Sequence, residues 1–397
     1  MDASVPPRTV ILPVAIKLPV SVLSRRSPES RLRRVARAHC LILSLLCGCT
    51  APSGLSPEPP EPTTPEPDWV VIEPLITAAE PTTPFLDIGV VLFDAGVAAA
   101  DDTPMAAVRR LEAVLLARDL REVLVRSNRW GAVRLVPEAS ALTTLAVHTR
   151  ILQSDGRDLL LAVQVRDSLG GVWLETTIAH RATLTDQATY SLADIFNGLS
   201  NEIGTIWLQT APETRERLIA AADIVYAESL VPSAFSGMVS HSAEGWQLNR
   251  LPASDDPMVA RVERVRNQEY LFCDTIDEQY ALMSEQVGPT YEMWRQATLE
   301  QAEWLAQYEQ RAAMREAKAS DSQFSRMHAQ YAAYRSFRIQ EQAFFELAKA
   351  LDNESEPTVL RTEDQVVRLE GTLSSQYNQW RGLLREIYAL EQPPASW

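Results

Sequence analysis

The chain of 397 residues has no uninterrupted apolar stretch close to the roughly 20 residues that a membrane-spanning helix needs. Cysteine is also scarce, and the whole sequence contains only Cys40, Cys47, Cys49 and Cys273. The first three lie close together near the start, whereas Cys273 ends the apolar stretch 270–273. We therefore predict no membrane-spanning helix, no disulfide framework, and a buried, unreactive Cys273.

Motifs for catalysis and for metal or cofactor binding are missing too. The histidines at 148, 180, 241 and 328 are far apart, and none has a second ligand at the spacing of a metal site. There is no HExxH, paired CxxC, GxSxG or glycine-rich phosphate loop. The acid pairs 101–102 and 255–256 precede predicted helix starts, where carboxylates complement the helix dipole. The sequence thus predicts a non-enzymatic protein with no metal site and no cofactor.

Acidic side chains outnumber basic ones after residue 48. Residues 1–48 hold eight basic and two acidic side chains, so the remainder carries a formal net charge of −21, against −15 for the whole chain. Phosphates would be repelled by such a surface, and we predict no nucleic-acid partner. The acidity serves either solubility, which is the simpler interpretation, or attraction to a basic partner surface.

A short apolar run near the start ends in a cysteine. An arginine-rich region precedes residues 41–46, and the run closes with Leu46-Cys47-Gly48-Cys49. A basic region, a short apolar stretch and small residues are typical of an export signal that is removed from the mature protein. The pattern resembles the lipobox of bacterial lipoproteins, in which Leu46, Cys47 and Gly48 precede the modified Cys49.

This resemblance implies cleavage before Cys49 and acyl chains on its sulfur, so that the bilayer is the first partner. The next residue is Thr50 and not Asp, and resemblance to the usual sorting pattern then implies the outer membrane, facing the periplasm. Cys47 departs from the lipobox pattern, which more often has Ala or Ser at that position. The long segment before the apolar run suggests an over-extended start, with the true start nearer Val35.

The remaining chain divides by composition. Prolines recur through residues 50–84, which predicts an extended polyproline linker, interrupted at 69–72 by an apolar group that can dock as an edge strand. We predict these segments: signal peptide 1–48, lipidated cysteine and linker 49–84, α/β domain 85–250, helical domain 255–391, and tail 392–397.

Residues 85–250 alternate strand and helix signals. The apolar run 88–93 predicts a buried strand, and Thr103-Pro104 predicts the start of a helix that ends near 128–131. Strands are predicted at 132–136, 142–153, 158–166 and 172–180, with Asp/Gly turns between them. Ser191 with Asp194, and Thr210 with Glu213, predict two further capped helices. This order gives an α+β protein with a small βαβββα mixed-sheet sandwich.

The strand Ile88–Phe93, the helix through Leu124 and the phrase at 127–133 (Ser-Asn-Arg-Trp-Gly-Ala-Val) resemble a periplasmic class of α/β domains. That class includes the amino-terminal region of TolB, curli-type secretion lipoproteins and lipoprotein activators of peptidoglycan synthases. The resemblance implies protein–protein binding in the cell envelope.

From Asp256 onward the pattern is helical. Asp256-Pro257 predicts a helix start, Gly288-Pro289 predicts a break or kink, and residues 290–351 lack proline and glycine. Polar residues 318–323 can interrupt that stretch. A last helix is predicted at 362–391. A long-helix hairpin or a helical bundle would bury their apolar stripes.

These helices contain more aromatic residues than one internal seam needs. The bundle core is the simpler explanation, and the alternative is an exposed stripe that docks a partner. The residues predicted to bind a partner in the second case are Trp294, Trp304, Tyr331, Tyr334 and Phe337.

Taken together, these features predict a lipid-anchored outer-membrane protein that binds or assembles another envelope protein. Two alternatives stay open: a self-assembling coiled-coil lipoprotein, and a small-ligand carrier or enzyme whose site the sequence does not reveal. A deep pocket with convergent polar groups would favour the last of these.

Overall fold

Five strands form one mixed sheet, because their alternating apolar residues need a shared buried face. The strands are β1 (Ile88–Val91), β2 (Val133–Val136), β3 (Leu145–Ser154), β4 (Asp158–Asp167) and β5 (Val172–Arg181). Their order across the sheet is β2-β1-β3-β4-β5. Strand β1 is parallel to both neighbours, and β3, β4 and β5 are antiparallel. The predicted α+β class and mixed sheet are confirmed, with a long helix after the sheet.

The computed structural model describes residues 67–81, 83–101, 103–138, 142–183, 191–242, 245–253, 256–316, 358–361, 366–369 and 373–390. The chain divides after Thr64 into two units, and every described residue belongs to the second unit, Pro65–Trp397.

Helix α1 (Pro104–Arg126) packs on one face of the sheet. Thr103 caps it, since the Thr103 hydroxyl accepts a hydrogen bond from the Ala106 amide at 3.3 Å, and Pro104 occupies the first turn as predicted. Leu116, Leu120 and Leu124 lie at helical spacing and are fully buried in the core.

Two helices follow the sheet. Ser191 and Asp194 form the predicted capping box, which opens a 3-10 turn (Leu192–Phe196) that leads into α2 (Asn197–Gln209). The prediction that Thr210 caps the next helix is wrong. Helix α3 (Pro212–Leu230) is preceded by Ala211 without a side-chain cap, because Pro212 already fixes the first turn. A short turn of helix, α4 (Pro232–Phe235), and an unpredicted hairpin of β6 (Val239–Ser242) and β7 (Gly245–Leu248) complete this region.

Helix α5 (Pro257–Glu316) runs for 60 residues and continues through Pro289. Of the break or kink predicted at Gly288-Pro289, the break is therefore wrong. Buried side chains lie on both sides of the proline, with Tyr280 before it and Tyr291 after it, and this packing holds the helix although proline removes one backbone donor. No helix in the described part of the chain is long and apolar enough to cross a membrane.

The same helix covers the outer edge of β2. The Leu135 amide donates to Asp277 Oδ1 at 3.1 Å, and Arg121 of α1 donates to the Val133 carbonyl at 3.2 Å. Arg134 also pairs with Asp274 at 2.8 Å. Side chains thus pair the backbone groups of an edge strand that would otherwise be open to another chain.

The C-terminal region differs from its prediction. Residues at the start of the predicted helix 362–391 form β9 (Val366–Leu369), which pairs with β8 (Thr358–Arg361). Helix α6 (Leu373–Leu390) begins only afterwards. The β-branched residues Thr358, Val359, Val366 and Val367 favour this hairpin over helix. Residues 317–357, which hold most of the predicted 290–351 helix and its break at 318–323, lie outside the described residues.

Residues 67–80, here called the strap, were assigned to the linker from the sequence. In the structure they contact β5, α2 and the end of α1. The Val70 amide donates to the Ala179 carbonyl at 2.7 Å, and Trp69 forms an isolated bridge with Ala179. The segment predicted as an edge strand at 69–72 therefore contacts the edge of β5 without forming a strand. Further on, Asn201 of α2 bonds both the Pro74 carbonyl and the Ile76 amide, and the Ala78 amide bonds the Ser127 carbonyl. The part of the predicted linker before residue 67 lies outside the described residues.

Helices α3, α5 and α6 share one apolar core with the sheet. At their junction lies Glu269, which is fully buried. Its carboxylate accepts from the Tyr226 hydroxyl at 2.8 Å and the Tyr377 hydroxyl at 2.5 Å, and Arg381 lies 3.7 Å away. A buried carboxylate needs such partners, so this residue fixes the three helices in one arrangement. The described residues of the sequence segments 85–250 and 255–391 therefore share one core.

Candidate functional site

Some of the functional residues predicted from the sequence lie outside the described residues, and two lie within them. Leu46, Cys47, Gly48 and Cys49 of the lipobox, and Tyr331, Tyr334 and Phe337 of the aromatic stripe, fall outside the described residues. The described part of the chain contains the other two, Trp294 and Trp304.

Trp294 is buried, with 2% of its surface exposed. It stacks on Tyr291 with ring centroids 5.8 Å apart and packs against Val108, Leu111 and Leu115 of α1. Trp294 therefore belongs to the internal packing between α1 and α5, and a partner cannot contact it here. Trp304, two to three turns further along α5, is 37% exposed. Cys273 is fully buried as predicted, and burial raises the pKa of its thiol.

The sheet has one covered face and one open face. Residues Leu159, Leu161, Val163 and Val165 of β4 are buried on the helix side, whereas their alternating neighbours are partly exposed. The open sheet face comprises the outward side chains of β1, β3, β4 and β5. A bulge in β3 between Ile151 and Gln153 adds to the twist of this face.

A shallow depression of about 530 Å³ lies at the centre of the open sheet face. Ala162 and Thr177, which are paired across β4 and β5, form its floor with small side chains. One wall consists of His148, Gln164 and Glu175. These residues lie side by side, because the strand register pairs His148 of β3 with Gln164 of β4, and Gln164 with Glu175 of β5. Four strands therefore contribute to one concave surface.

Both signs of charge border this depression. Asp94 and Arg150 form an ion pair at 3.4 Å, and both side chains are more than half exposed. Arg166 donates to the Gln164 side chain at 2.6 Å and to the Gly170 carbonyl at 3.3 Å. Glu175 is exposed at the rim. Burial, followed by the charge of Arg166, lowers the pKa of His148, so this imidazole is neutral near pH 7.

This arrangement suits recognition of a polar protein surface. Exposed donors and acceptors of both kinds surround a floor of small side chains, and paired strands hold them in place. Within the described residues, no group of three His, Cys, Asp or Glu side chains could hold a metal ion.

Sequence reasoning did not identify this surface. The alternation in β3, β4 and β5 shows which residues share a face, but not whether a second layer covers that face. Polar residues at 148, 150, 164, 166 and 175 on one side of the strands were the available signal.

Comparison with known proteins finds no matching family model, curated protein or solved structure.

Proposed function

We propose that the chain is a lipid-anchored protein of the outer membrane, facing the periplasm, and that it binds another envelope protein without catalysing a reaction. The observation that carries the binding role is the open sheet face with its central depression. The lipobox at 46–49 supports the anchor, and the proline-rich segment supports a spacer between anchor and folded unit.

The strap supports a tethered arrangement. It brings the chain from residue 67 to the edge of β5, where Val70 bonds Ala179 and the Arg181 guanidinium lies 3.9 Å from the centre of the Trp69 ring. As the extended polyproline segment that the sequence predicts, residues 50–66 would serve as the tether and would span roughly 50 Å at about 3.1 Å per residue.

The partner that fits the open sheet face presents a basic side chain. Glu175 has no ion pair among the described residues, and the segment after residue 48 has a formal charge of −21. A basic group beside Glu175 and small residues over Ala162 and Thr177 would complement both charge and shape.

Site-specific photocrosslinking in intact cells tests this proposal. A photoreactive amino acid at Glu175 or Thr177 should give one discrete adduct, and the same probe at Glu216, which is exposed on α3, should not. The adduct from position 175 should disappear when Ala162→Trp fills the depression. No adduct at either face position, or equal adducts at Glu216, would rule out the face as the binding surface.

The anchor has its own test. Labelled palmitate should be incorporated into the wild-type chain and not into a Cys49→Ser variant, and that variant should leave the membrane fraction. Unchanged fractionation of Cys49→Ser would contradict the anchor while leaving the binding surface untouched.

A further inference from the structure

A second cavity, of about 380 Å³, lies between α1, α5 and the end of β5. Its wall combines apolar side chains, Leu115 and Leu192 among them, with polar groups that converge from four elements. The polar lining consists of Asp119, His180, Ser191, Ser284, Tyr291, Glu292, Arg295 and Gln296. Its volume and mixed lining are those of a small-molecule site.

A fixed network of polar groups holds two of the residues that line this cavity, Tyr291 and Arg295. Glu112 is 1% exposed and accepts from the Tyr291 hydroxyl at 2.5 Å and from the Ser154 hydroxyl at 2.6 Å. Arg109 and Arg295 lie 3.7 and 3.8 Å from this carboxylate, and Arg295 also donates to the Tyr291 hydroxyl. The positive charge of Arg295 is thus already engaged by the protein, and the network fixes the positions of Tyr291 and Arg295 in the cavity wall.

Asp119 differs from Glu112, because no hydroxyl or guanidinium group contacts its carboxylate in the described part of the chain. It lines the cavity from α1 and makes no hydrogen bond or ion pair within the described residues. Glu292 lines the same cavity from α5 and adds a second negative charge at the exposed rim. Arg118, Arg126 and Arg295 attract this carboxylate only from beyond ion-pair distance. A half-buried carboxylate without a donor, beside another carboxylate, is therefore stabilised by a positive group that contacts it directly.

Gly288 leaves room in the wall of the cavity. Apart from its chain neighbours and the adjoining backbone of α5, a Cβ atom built on Gly288 would meet no atom within 4 Å, although the residue lies in the middle of α5. Glycine weakens a helix interior, so a side chain here would favour the helix and would occupy the cavity.

We propose that this cavity binds a small organic amine, whose ammonium group pairs with Asp119 and whose apolar body contacts Leu115, Leu192 and the ring of Tyr291. The inference is independent of the open sheet face and of the lipid anchor. It names a ligand class for the small-ligand carrier that the sequence left open as an alternative.

The pH dependence of binding follows from the surroundings of Asp119. Burial raises the pKa of this carboxyl to about 6. The charged or titratable groups around it are Arg118, Glu122 and Arg126 on α1, Glu292 and Arg295 on α5, and His180 on β5. Above about pH 6 the carboxylate is ionised and attracts an ammonium group, whereas below that pH it is protonated and the attraction is lost.

Three probes of similar shape and different charge test the proposal by titration calorimetry on the full chain purified from its host. We expect 2-phenylethylamine to bind, and 2-phenylethanol and 3-phenylpropionate to bind at least about tenfold more weakly, because only the amine forms a charge-assisted hydrogen bond. Amine affinity should fall between pH 8 and pH 5. Absence of amine binding, or a preference for the alcohol or the acid, would overturn the proposal.

Matched variants distinguish this site from adventitious binding. Asp119→Asn should weaken amine binding about tenfold or more and remove its pH dependence. Gly288→Leu should abolish binding, whereas Gly288→Ala should keep it, and both should keep the wild-type circular dichroism spectrum. Amine binding that is equal in wild type, Asp119→Asn and Gly288→Leu would place the amine elsewhere and refute this site.

Discussion

Buried and half-buried carboxylates determine how the helices meet the sheet. Glu112 joins α1 to α5, Glu269 joins α3, α5 and α6, and Asp277 joins α5 to the edge of β2. Each accepts from at least one hydroxyl or amide, which compensates for part of the cost of burying charge. Such residues specify one arrangement of elements that apolar packing alone would leave variable.

Asp277 should make stability depend on pH. Burial raises the pKa of its carboxyl to about 7, against about 3.9 in an unfolded chain, so the folded state holds a proton that the unfolded state has lost. This contribution is fully present below about pH 4 and is lost as pH rises through 7. Asp277→Asn keeps an acceptor for the Leu135 amide and removes the titration. Denaturant unfolding at pH 5 and pH 8 should show a smaller loss of stability for Asp277→Asn than for wild type; parallel profiles would contradict this.

Tyr377 should contribute through its hydroxyl group. Tyr377→Phe removes one donor from Glu269, which is fully buried, and we expect a loss of about 1–3 kcal/mol in unfolding free energy. Tyr388→Phe on the same helix is the control, since the Tyr388 hydroxyl lies 3.4 Å from the Met258 sulfur, a weak acceptor. If denaturation showed a larger loss of unfolding free energy for Tyr388→Phe than for Tyr377→Phe, the role of Glu269 at this junction would be refuted.

At the scale of elements, the strap depends on side-chain amides of α2. Asn201 accepts from the Ile76 amide at 2.9 Å and donates to the Pro74 carbonyl at 3.1 Å. Asn197 donates to the Glu73 carbonyl one turn earlier. The strap adds no strand of its own beyond the single bridge at Trp69, so these amides supply its attachment.

Asn201→Ala should loosen the strap. It removes two hydrogen bonds worth about 1 kcal/mol each, so local opening should become about thirtyfold more frequent. Limited proteolysis should then cut within 67–80 faster than in wild type. The control is Thr205→Ala, which alters only a hydrogen bond to the Asn201 carbonyl inside α2. In this variant the strap should be cut at the wild-type rate. Equal cleavage in the two variants would show that Asn201 does not hold the strap.

The elements also show what a sequence can predict. Strands β3, β4 and β5 were predicted to within a few residues, because period-two alternation and Asp/Gly turns are local signals. Continuation of α5 through Pro289 was not predicted, since packing of Tyr280 and Tyr291 outweighs the local cost of proline. The hairpin at 358–369 was missed because Val366 and Leu369 fit a helical spacing as well as a strand. The cavity beside Asp119 joins residues far apart in sequence, and no local pattern encodes it.

At the scale of the whole molecule, the sheet and helices should unfold together. Trp380 of α6 is fully buried in the common core, and its indole donates to the Gln268 carbonyl at 3.2 Å. Trp380→Ala should reduce the unfolding free energy by about 3–5 kcal/mol and lower the unfolding midpoint of the entire unit. Circular dichroism and tryptophan fluorescence should report one shared midpoint, and Leu390→Ala, at a site 84% exposed, should not move it. Loss of α6 alone, with the sheet transition unchanged, would contradict a single core.

The attachment of the strap also determines how the folded unit responds to force. Tension applied upstream of residue 67 would act first on the Trp69–Arg181 stack and the Val70 amide, then on the contacts at Glu73, Pro74 and Ile76, and last on Ala78. Because these bonds lie in series along the chain, they would break one after another, each at low force. The strap would lengthen by about 3.3 Å per released residue while the sheet stays intact, which makes it an extensible mechanical buffer.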